Sequence, residues 1–423
     1  MAGRVSGIID WRPLSTTTII RYINGIQKMP KLTSRQTEAI HHYTGPAIVV
    51  AGPGSGKTRV LIERIRFLIE EKNVLPENIL AVTFTEKAAE EMSTRLHSTI
   101  GDKAQKVHIS TFHSFCKRIM EDNFMFHELG ASFNVLDAED QKLFVMAYKS
   151  KLDISGIKGW RDIIIKAAGF MGNPEDQVCL LYNIMTENSI DSAALAAALT
   201  RKGSTLGVYE DDAQKLVSSY DKYCDLLREE KLVDFAHLES TALDMLKNKP
   251  EVLEAVRKQF QFVLVDEYQD TSPIQDELIS HVVSGHKNVF VVGDENQSIY
   301  GFRGAVKENF SKFDKSYPST SEYRLSTNFR SFGTIVDTAN KLLESKIREK
   351  LKAHRAKGND IILITGDNRR AVAKNAAAFL KKRIKQGTLS IGDTAFLYRK
   401  KSLADEVIAS LTEEGLPFVT DND

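Results

Sequence analysis

The chain has 423 residues, more than one hydrophobic core usually organises, so about two or three domains are expected. Hydrophobic residues make up 42% of the sequence, charged residues make up 27%, and the formal net charge is +1, as in many soluble globular proteins. No apolar run approaches the ~20 residues of a membrane span, and the N-terminus lacks the layout of a signal peptide. We therefore expect no membrane partner and a cytoplasmic location.

Cysteine usage and charge distribution narrow the setting further. Cys116, Cys179 and Cys224 are too scattered for a C-x-x-C metal pattern and leave one thiol unpaired in any disulfide scheme, which favours a reducing compartment. Between residues 341 and 401, Lys and Arg greatly outnumber Asp and Glu. This skew is compatible with a polyanionic partner, although the charged outer faces of surface helices would produce it too.

The N-terminal part begins with a segment that fits no motif and continues into a helix. Residues 1–30 are interpreted as a tail. From Leu32, the run LTSRQTEAI predicts a helix capped by Thr33 or Ser34. Gln36 faces the region that leads to the next motif.

The stretch AIVVAGPGSGKT, residues 47–58, organises the rest of the chain. Its glycine-rich loop lies between an apolar strand and a helical run, where a phosphate gains from the helix N-terminus. Lys57 is expected to reach the β- and γ-phosphates of a nucleotide, and the Thr58 hydroxyl to ligate Mg²⁺. The alternative is a glycine-rich turn without a ligand. The predicted cradle, in which Ala51 stands where the strict P-loop pattern has Gly, comprises Ala51, Gly52, Pro53, Gly54, Ser55, Gly56, Lys57 and Thr58.

Two further apolar strands end in hydroxyl and aromatic side chains. The run at 79–82 predicts a buried parallel strand, and Phe84 and Thr85 follow it. The strand KVHIST leads into the FHS sequence at 112–114. Open α/β sheets bind ligands at the carboxyl ends of their strands, so both places are candidate ligand positions. Either aromatic residue taken alone is more often part of a core.

A largely helical segment interrupts the strand pattern from about residue 116 to residue 233. Periodic stretches lie at 138–151, 191–200 and 211–230, without a strong strand signal. Strand signals return from residue 260. We therefore interpret the helical part as a subdomain inserted between strands of one sheet.

A pair of carboxylates follows the apolar run at 262–265. If this strand shares a sheet with the P-loop strand, Asp266 and Glu267 face the P-loop. Asp266 can hold Mg²⁺ together with Thr58 because this hard cation takes oxygen ligands, and Glu267 can orient and deprotonate the attacking water. The alternative is an ordinary acidic turn after a strand, but the P-loop earlier in the chain favours the catalytic interpretation.

The next strand, at 289–292, leads to Gln297, whose amide could sense a γ-phosphate. Tyr300, Phe302 and Arg303 then place aromatic faces beside a guanidinium. Every base has a π-face worth ~1–3 kcal/mol when it is stacked, so this pattern predicts binding of single-stranded nucleic acid without sequence preference.

The C-terminal part predicts a second α/β domain. A polar stretch at 311–320 resembles a linker, and Arg330 lies in a strand-to-helix transition. Strand signals occur at 360–366 and 393–399, and no second P-loop accompanies them. These signals alternate with helical runs at 334–344, 370–385 and 402–414.

Eight motifs taken in order resemble those of the UvrD/Rep/PcrA-type superfamily 1 DNA helicases. They are LTSRQTEAI, AGPGSGKTR, AVTFTEKAAEEM, STFHSF, VDEYQDTSPIQ, VVGDENQSIYGFRGA, LSTNFRS and FLYRKKSLADEVIASLTEEGLPF. The resemblance implies an α/β fold in which a RecA-like P-loop NTPase domain carries an inserted α-helical subdomain and precedes a partial second RecA-like domain. The implied boundaries are 31–115 and 234–312 for the first domain, 116–233 for the insertion and 313–423 for the second domain.

The resemblance also implies roles for individual residues. Gln36 would contact the adenine of ATP, and Phe329 or Arg59 would lie near the nucleotide. Gln297 and Arg330 would touch the γ-phosphate. Together with the residue pattern above, the resemblance predicts the residues that contact single-stranded DNA. They are Phe84, Thr85, Thr111, Phe112, His113, Tyr300, Phe302 and Arg303.

The chain departs from the family pattern at several places. Glu86 stands where the family often has Asn, Tyr268 where Phe is common, and Phe302 where Trp is usual, which would soften base stacking. Two later family motifs, one of them carrying a second arginine finger, do not occur in this sequence. Because an arginine finger can contribute 10³–10⁵ in rate in phosphoryl-transfer enzymes, hydrolysis by this chain alone is in question.

The leading hypothesis is an ATP- and Mg²⁺-dependent DNA helicase or translocase with 3′ to 5′ polarity, acting in repair or replication. Its partners would be single-stranded DNA, junctions of duplex with single strand, and a protein that loads it. The second hypothesis is a nucleotide-dependent DNA-binding module, or one half of a split enzyme, that does not unwind DNA alone. A P-loop kinase or GTPase is disfavoured because no guanine-type N-K-x-D context follows a strand.

Overall fold

The computed structural model describes residues 30–154, 174–193, 195–197, 210–298, 309–343, 349–398 and 403–420. Contacts divide these residues into two compact units. The first contains the described residues up to Ser331 and those between Leu343 and His354. The second contains Phe332–Leu342 and the described residues from Arg355 onward.

Ten strands and fourteen helices of the described residues are used below. The strands are β1 (Ala47–Ala51), β2 (Ile79–Thr83), β3 (His108–Thr111), β4 (Asn134–Leu136), β5 (Leu232–Asp234), β6 (Phe262–Val265), β7 (Val289–Gly293), β8 (Ser321–Leu325), β9 (Thr327–Asn328) and β10 (Lys352–Ala353). The helices are α1 (Ser34–Ile40), α2 (Lys57–Glu70), α3 (Glu86–Ile100), α4 (Phe112–Asp122), α5 (Ala138–Ala147), α6 (Pro174–Glu187), α7 (Glu210–Glu229), α8 (Phe235–Asn248), α9 (Pro250–Gln259), α10 (Pro273–Val283), α11 (Asn309–Ser316), α12 (Gly333–Leu343), α13 (Arg369–Lys385) and α14 (Ala404–Glu413).

The first unit is organised by a six-stranded parallel sheet in the order β3-β2-β6-β7-β1-β8. Its central strands are apolar runs because helices cover both faces. Along β2, Leu80 and Val82 join the core beneath α4, α8 and α10, while Ile79 and Ala81 join the core beneath α1, α2 and α3. This parallel α/β architecture confirms the predicted fold class.

The edge strand β8 changes the predicted domain boundary. Ser321–Leu325 pair with Ala47–Ala51 in parallel register, so residues after 313 contribute a strand to the first sheet. The predicted boundary between 312 and 313 falls inside α11. Its Phe310 and Phe313 are buried in the core beneath α4, α8 and α10, which we call the first core. The compact unit therefore continues to Ser331, later than the sequence predicted.

The helical insertion has a core of its own, formed around Tyr182 and Tyr223 by side chains from α5, α6 and α7. The predicted helices at 138–151 and 211–230 correspond to α5 and α7, whereas that at 191–200 lies partly outside the described residues. Two short strands, β4 and β5, pair in parallel near the two ends of the insertion. This pair was not predicted, because three-residue strands carry too short an alternation to register.

The second unit consists of helices and irregular chain within the described residues. Helices α12, α13 and α14 correspond to the predicted helical runs, and Ala377, Leu380 and Leu411 form a small core between α13 and α14. The predicted strands at 360–366 and 393–399 are wrong for the described residues, which form no strand there. Leu363 is 86% exposed and Leu397 is 95% exposed, so these side chains are not buried as those of a strand inside a parallel sheet would be.

No helix in the described ranges combines the length and apolarity that crossing a bilayer requires.

Candidate nucleotide-binding site

The glycine-rich loop joins the carboxyl end of β1 to the first turn of α2, as the sequence predicted. Gly56, the N-cap of α2, has φ +88°, and Gly54 has φ +67°, conformations that a side chain disfavours. The hydroxyl of Ser55 donates to the carbonyl of Gly52 at 2.7 Å and closes the loop. No side chain caps α2, so its first N–H groups are oriented for an anion. The residues that the structure brings together here are Ala51, Gly52, Pro53, Gly54, Ser55, Gly56, Lys57 and Thr58.

Gln36 is a structural support of this loop. Its Nε2 donates to the carbonyl of Ser55 at 2.9 Å, and its Oε1 accepts from the N–H of Thr33 at 2.9 Å. Thr33 is the N-cap of α1, one of the two residues that the sequence offered for that position. Both ends of the buried amide are therefore engaged by the chain, and its contact with adenine stays a prediction.

Arg59 lies on the first turn of α2. Its Nη1 donates to the carbonyl of Pro30 at 2.7 Å, which ties the helix to the start of the described chain. Its Nε is buried and finds no acceptor among the described residues. A buried donor without an acceptor is costly, and the proximity of Arg59 to the nucleotide stays a prediction.

The two predicted catalytic carboxylates lie at the end of β6 beside the P-loop. Lys57 Nζ is 3.1 Å from Glu267 Oε2. Asp266 is only 7% exposed, and burial, reinforced by the charge of Glu267 and opposed by Lys57, raises its pKa to about 7. Glu267 has φ +49°, a left-handed conformation that non-glycine residues rarely adopt and that clusters at functional sites.

A glutamine that the sequence analysis did not identify joins these carboxylates to the next strand end. Gln269 donates from Nε2 to Glu267 Oε2 at 2.8 Å, and its Oε1 accepts from the N–H of Asp294 at 2.9 Å. Asp294 in turn accepts from Gln297 Nε2 at 2.8 Å. A Cβ on Gly293 would lie 2.4 Å from Gln269 Oε1, so glycine is needed where the two loops meet. Glu267 and Gln297 are thus held in one polar network.

The segment after β8 braces the outer side of the P-loop. Asn328 Nδ2 donates to the carbonyl of Pro53 at 2.7 Å, and the N–H of Phe329 donates to the carbonyl of Gly54 at 2.8 Å. A Cβ on Gly54 would lie 2.7 Å from Arg330 Cβ. Phe329 and Arg330 therefore lie next to the loop, as predicted, but in the first unit rather than in the second. Asn328 was missed, although an Asn before a turn is a signal for side-chain capping.

Thr58 and Asp266 are the residues that fit Mg²⁺. Thr58 lies on the first turn of α2, and Asp266 presents a buried carboxyl whose pKa is raised mainly by burial, so a cation beside it would favour the ionised form. The described residues contain no cluster of three or more His, Cys, Asp or Glu side chains suited to a metal ion. A hydroxyl and one carboxylate still suit Mg²⁺, which typically takes its remaining ligands from water and substrate phosphates.

The residues predicted to bind DNA near β2 and β3 lie at the carboxyl ends of these two neighbouring β-strands. Thr85 caps α3 by accepting from the N–H of Ala88 at 3.2 Å, and Phe84 beside it is half-buried. Glu86 Oε1 accepts from the hydroxyls of Thr111 at 2.8 Å and Ser114 at 2.7 Å. Glu86, which departs from the family pattern, therefore links the two strand ends and occupies the Thr111 hydroxyl.

The prediction that Phe112 contacts single-stranded DNA is wrong. It is 5% exposed and packs in the first core, because the first turn of α4 directs it beneath the sheet. His113 points elsewhere: its ring stacks on Phe235 with centroids 4.2 Å apart, and its Nε2 lies 3.2 Å from Glu239 Oε1. The predictions for Tyr300, Phe302 and Arg303 fall outside the described residues.

Comparisons with known proteins agree with this arrangement. The family described as the UvrD/REP helicase N-terminal domain matches residues 32–318, and that described as the UvrD-like helicase C-terminal domain matches residues 323–422. Both family domains are thus represented, whereas the sequence alone indicated a second domain without its last motifs.

Two relatives illustrate the similarity. The ATP-dependent DNA helicase PcrA of Bacillus subtilis (strain 168) is 34% identical over 404 residues, which cover 94% of this chain and 51% of the relative. The ATP-dependent DNA helicase PcrA of Staphylococcus aureus (strain Mu50) is 32% identical over 390 residues, which cover 92% of this chain and 50% of the relative. The chain therefore spans about half the length of these relatives. It belongs to the UvrD/REP helicase family.

Proposed function

We propose that this chain binds ATP at the P-loop and hydrolyses it in response to single-stranded DNA, as part of a DNA helicase or translocase that moves 3′ to 5′. The observation that carries the proposal is the polar network that joins Lys57 of the P-loop to Glu267 and, through Gln269 and Asp294, to Gln297. The relatives are named ATP-dependent DNA helicases, which supports the nucleotide, the nucleic acid and the reaction. The polarity and a role in repair or replication rest on the family resemblance alone.

Lys57 is the residue through which nucleotide binding would reach the catalytic carboxylate. Its ammonium is paired with Glu267, and a β- or γ-phosphate offers it more negative charge. On binding ATP, Lys57 would turn to the phosphates and free the Glu267 carboxylate. Glu267 would then accept a proton from the attacking water, with Gln269 holding the carboxylate in place.

The charge of the transferred phosphoryl group would be met by groups already in place. The N–H groups at the start of α2 lie at the loop, and Arg330 lies on its outer side. Mg²⁺ held by Thr58 and Asp266 would supply Lewis-acid polarisation of phosphate oxygens. Gln297, tied to Asp294, would contact the γ-phosphate and pass its presence to the following segment.

Single-stranded DNA would cross the carboxyl ends of β2 and β3. Phe84 and Thr85 lie at the first of these ends and His113 at the second, whereas the proposed DNA contacts Tyr300, Phe302 and Arg303 lie outside the described residues. Because these contacts involve stacking and backbone groups, we propose preference for a strand rather than for a sequence. DNA bound there would lie at the same edge of the sheet as the P-loop, where the carboxyl ends of the β-strands meet. ATP and DNA could therefore influence each other.

The experiment is strand displacement from a duplex with a 3′ tail, beside the same duplex with a 5′ tail, with ATP and Mg²⁺. Displacement from the 3′-tailed duplex alone is expected, and Glu267→Gln, which keeps shape but removes the proton acceptor, should abolish it. Displacement from the 5′-tailed duplex alone would contradict the polarity. Binding of tailed DNA without displacement would favour the second candidate.

The second candidate is a module, or one half of a split enzyme, that binds ATP and DNA but does not unwind alone. The observation that favours it is in the second unit, whose described residues form no strand and expose the apolar runs around Leu363 and Leu397. Displacement that appears only after a second polypeptide is added would support this candidate.

A further inference from the structure

A buried carboxyl group lies between His113, which we propose to contact DNA, and helix α10, which follows the catalytic carboxylates in the chain. Glu239 belongs to α8, and its side chain is 5% exposed. One oxygen, Oε1, lies 3.2 Å from His113 Nε2 and accepts a hydrogen bond from Gln275 Nε2 at 2.7 Å. A single buried carboxyl oxygen thus joins side chains of α4 and α10 that are far apart in sequence.

The contact with Gln275 reaches the loop of the catalytic pair. Gln275 is the third residue of α10, and its Oε1 accepts from the N–H of Ser272, the N-cap. The Ser272 hydroxyl accepts from the N–H of Gln275 in return. The short segment between Glu267 and this cap consists of a 3₁₀ turn at Tyr268–Asp270 and Thr271, all buried. A displacement of Glu239 would therefore move Gln275 and the cap at Ser272, and through the short buried segment it would shift Glu267.

The contact with His113 reaches the surface proposed to bind DNA. The His113 ring is stacked on Phe235, one turn before Glu239 on α8, so its ring plane and its Nε2 are both fixed from the same helix. Its side chain is partly exposed, whereas that of Glu239 is not. A strand that moves His113 would change the hydrogen bond that Glu239 makes inside the protein.

We propose that Glu239 is a positioning residue that couples DNA contact at His113 to the catalytic carboxylate through Gln275. The inference rests on the proposed function, since it assigns a route for the DNA response of that same site. Glu239 acts through Gln275, so it should affect the response to DNA rather than basal hydrolysis.

The chemistry of the carboxyl group gives the route a pH signature. Burial, together with the charge of Glu187 on α6, raises the pKa of Glu239 to about 8, although the Gln275 hydrogen bond opposes the shift. Within the described part of the chain, the titratable groups that face it are His113 and Cys116 on α4 and Glu187 on α6. The carboxylate accepts stronger hydrogen bonds than the neutral acid, so coupling should strengthen as pH rises through about 8.

The test compares ATP turnover with and without single-stranded DNA in the wild type, Glu239→Leu and Glu239→Gln. Glu239→Leu keeps side-chain volume but removes both hydrogen bonds, and it should lower DNA stimulation about five-fold or more while basal turnover and the KM for ATP stay unchanged. Glu239→Gln keeps both contacts without the charge, so it should keep the weaker stimulation that the protonated wild type shows near pH 7. Ser240→Ala, which removes only a hydrogen bond within α8, is the matched control and should behave as the wild type.

The pH profile separates coupling from a general loss of stability. Stimulation of the wild type should increase between about pH 7 and pH 9, whereas Glu239→Gln, which cannot ionise at this position, should lack the part of the rise centred near pH 8. This comparison decides the matter even if Glu239→Leu does not fold. Equal stimulation of all variants together with identical pH profiles would overturn the inference and leave the proposed function intact. A wild type whose turnover ignores DNA would overturn both.

Discussion

Replacing Asp266 by Asn should stabilise the nucleotide-free protein while it destroys catalysis. The pKa of this buried carboxyl is raised from 3.8 to about 7. Between these values the folded state holds a proton that the unfolded state has lost, so stability falls as pH rises. At 1.36 kcal/mol for each pKa unit, ionised Asp266 costs about 4 kcal/mol above pH 7. Asn avoids this cost and can still accept from the N–H of Glu267, as Asp266 Oδ1 does at 2.9 Å.

The assay is denaturant unfolding without nucleotide at about pH 5 and pH 8. Asp266→Asn should be more stable than the wild type at pH 8, and the difference should be smaller at pH 5. In a separate assay with ATP, the variant should show no turnover at either pH. Mg²⁺ and a nucleotide should stabilise the wild type more than the variant, because the variant lacks a carboxylate for the cation. Asp102→Asn, at an exposed site, controls for a general change in charge. Equal stability of Asp266→Asn and the wild type at pH 8 would refute the reasoning.

Three further predictions concern the P-loop and a buried ion pair of α8. Lys57→Ala should lose ATP binding in a fluorescent-nucleotide titration, and retained hydrolysis would overturn the site assignment. Gly54→Ala should lose both stability and ATP affinity, whereas Gly45→Ala, also at positive φ but with no atom within 4 Å of the new Cβ, should cost only ~1–2 kcal/mol in thermal unfolding. Equal effects at the two glycines would contradict the packing argument. His237→Gln should cost about 3 kcal/mol near pH 6 by breaking the buried pair with Asp234. Because that pair raises the pKa of His237 to about 10, its stabilisation is complete below pH 6.5 and is lost as pH rises through 10, so unfolding of His237→Gln should lack this decline.

Local sequence patterns were sufficient to predict most of the first unit. Runs such as Phe262–Val265 are apolar at every position because helices cover both faces of the sheet, which identifies buried parallel strands. Parallel strands in one sheet also bring their carboxyl ends together. The proximity of Lys57 and Glu267 could therefore be predicted although many residues separate them.

The supporting polar contacts could not be predicted in the same way. Gln269 and Asn328 look like ordinary loop residues, and their roles depend on backbone groups of Asp294 and Pro53 that only the fold places beside them. Phe112 followed a strand end like Phe84, but the first turn of α4 directs it into the core. The apolar run within residues 360–366 satisfies the pattern of a buried strand, yet a strand also needs a neighbour, which a local pattern does not encode.

The most direct test of the central claim is the steady-state rate of ATP hydrolysis as single-stranded DNA is titrated, measured for the wild type and for Glu267→Gln. The wild type should show a rate that rises with DNA and saturates, and Glu267→Gln should bind ATP and DNA without this rise. A wild-type rate that is independent of DNA, or a Glu267→Gln rate equal to that of the wild type, would contradict the claim.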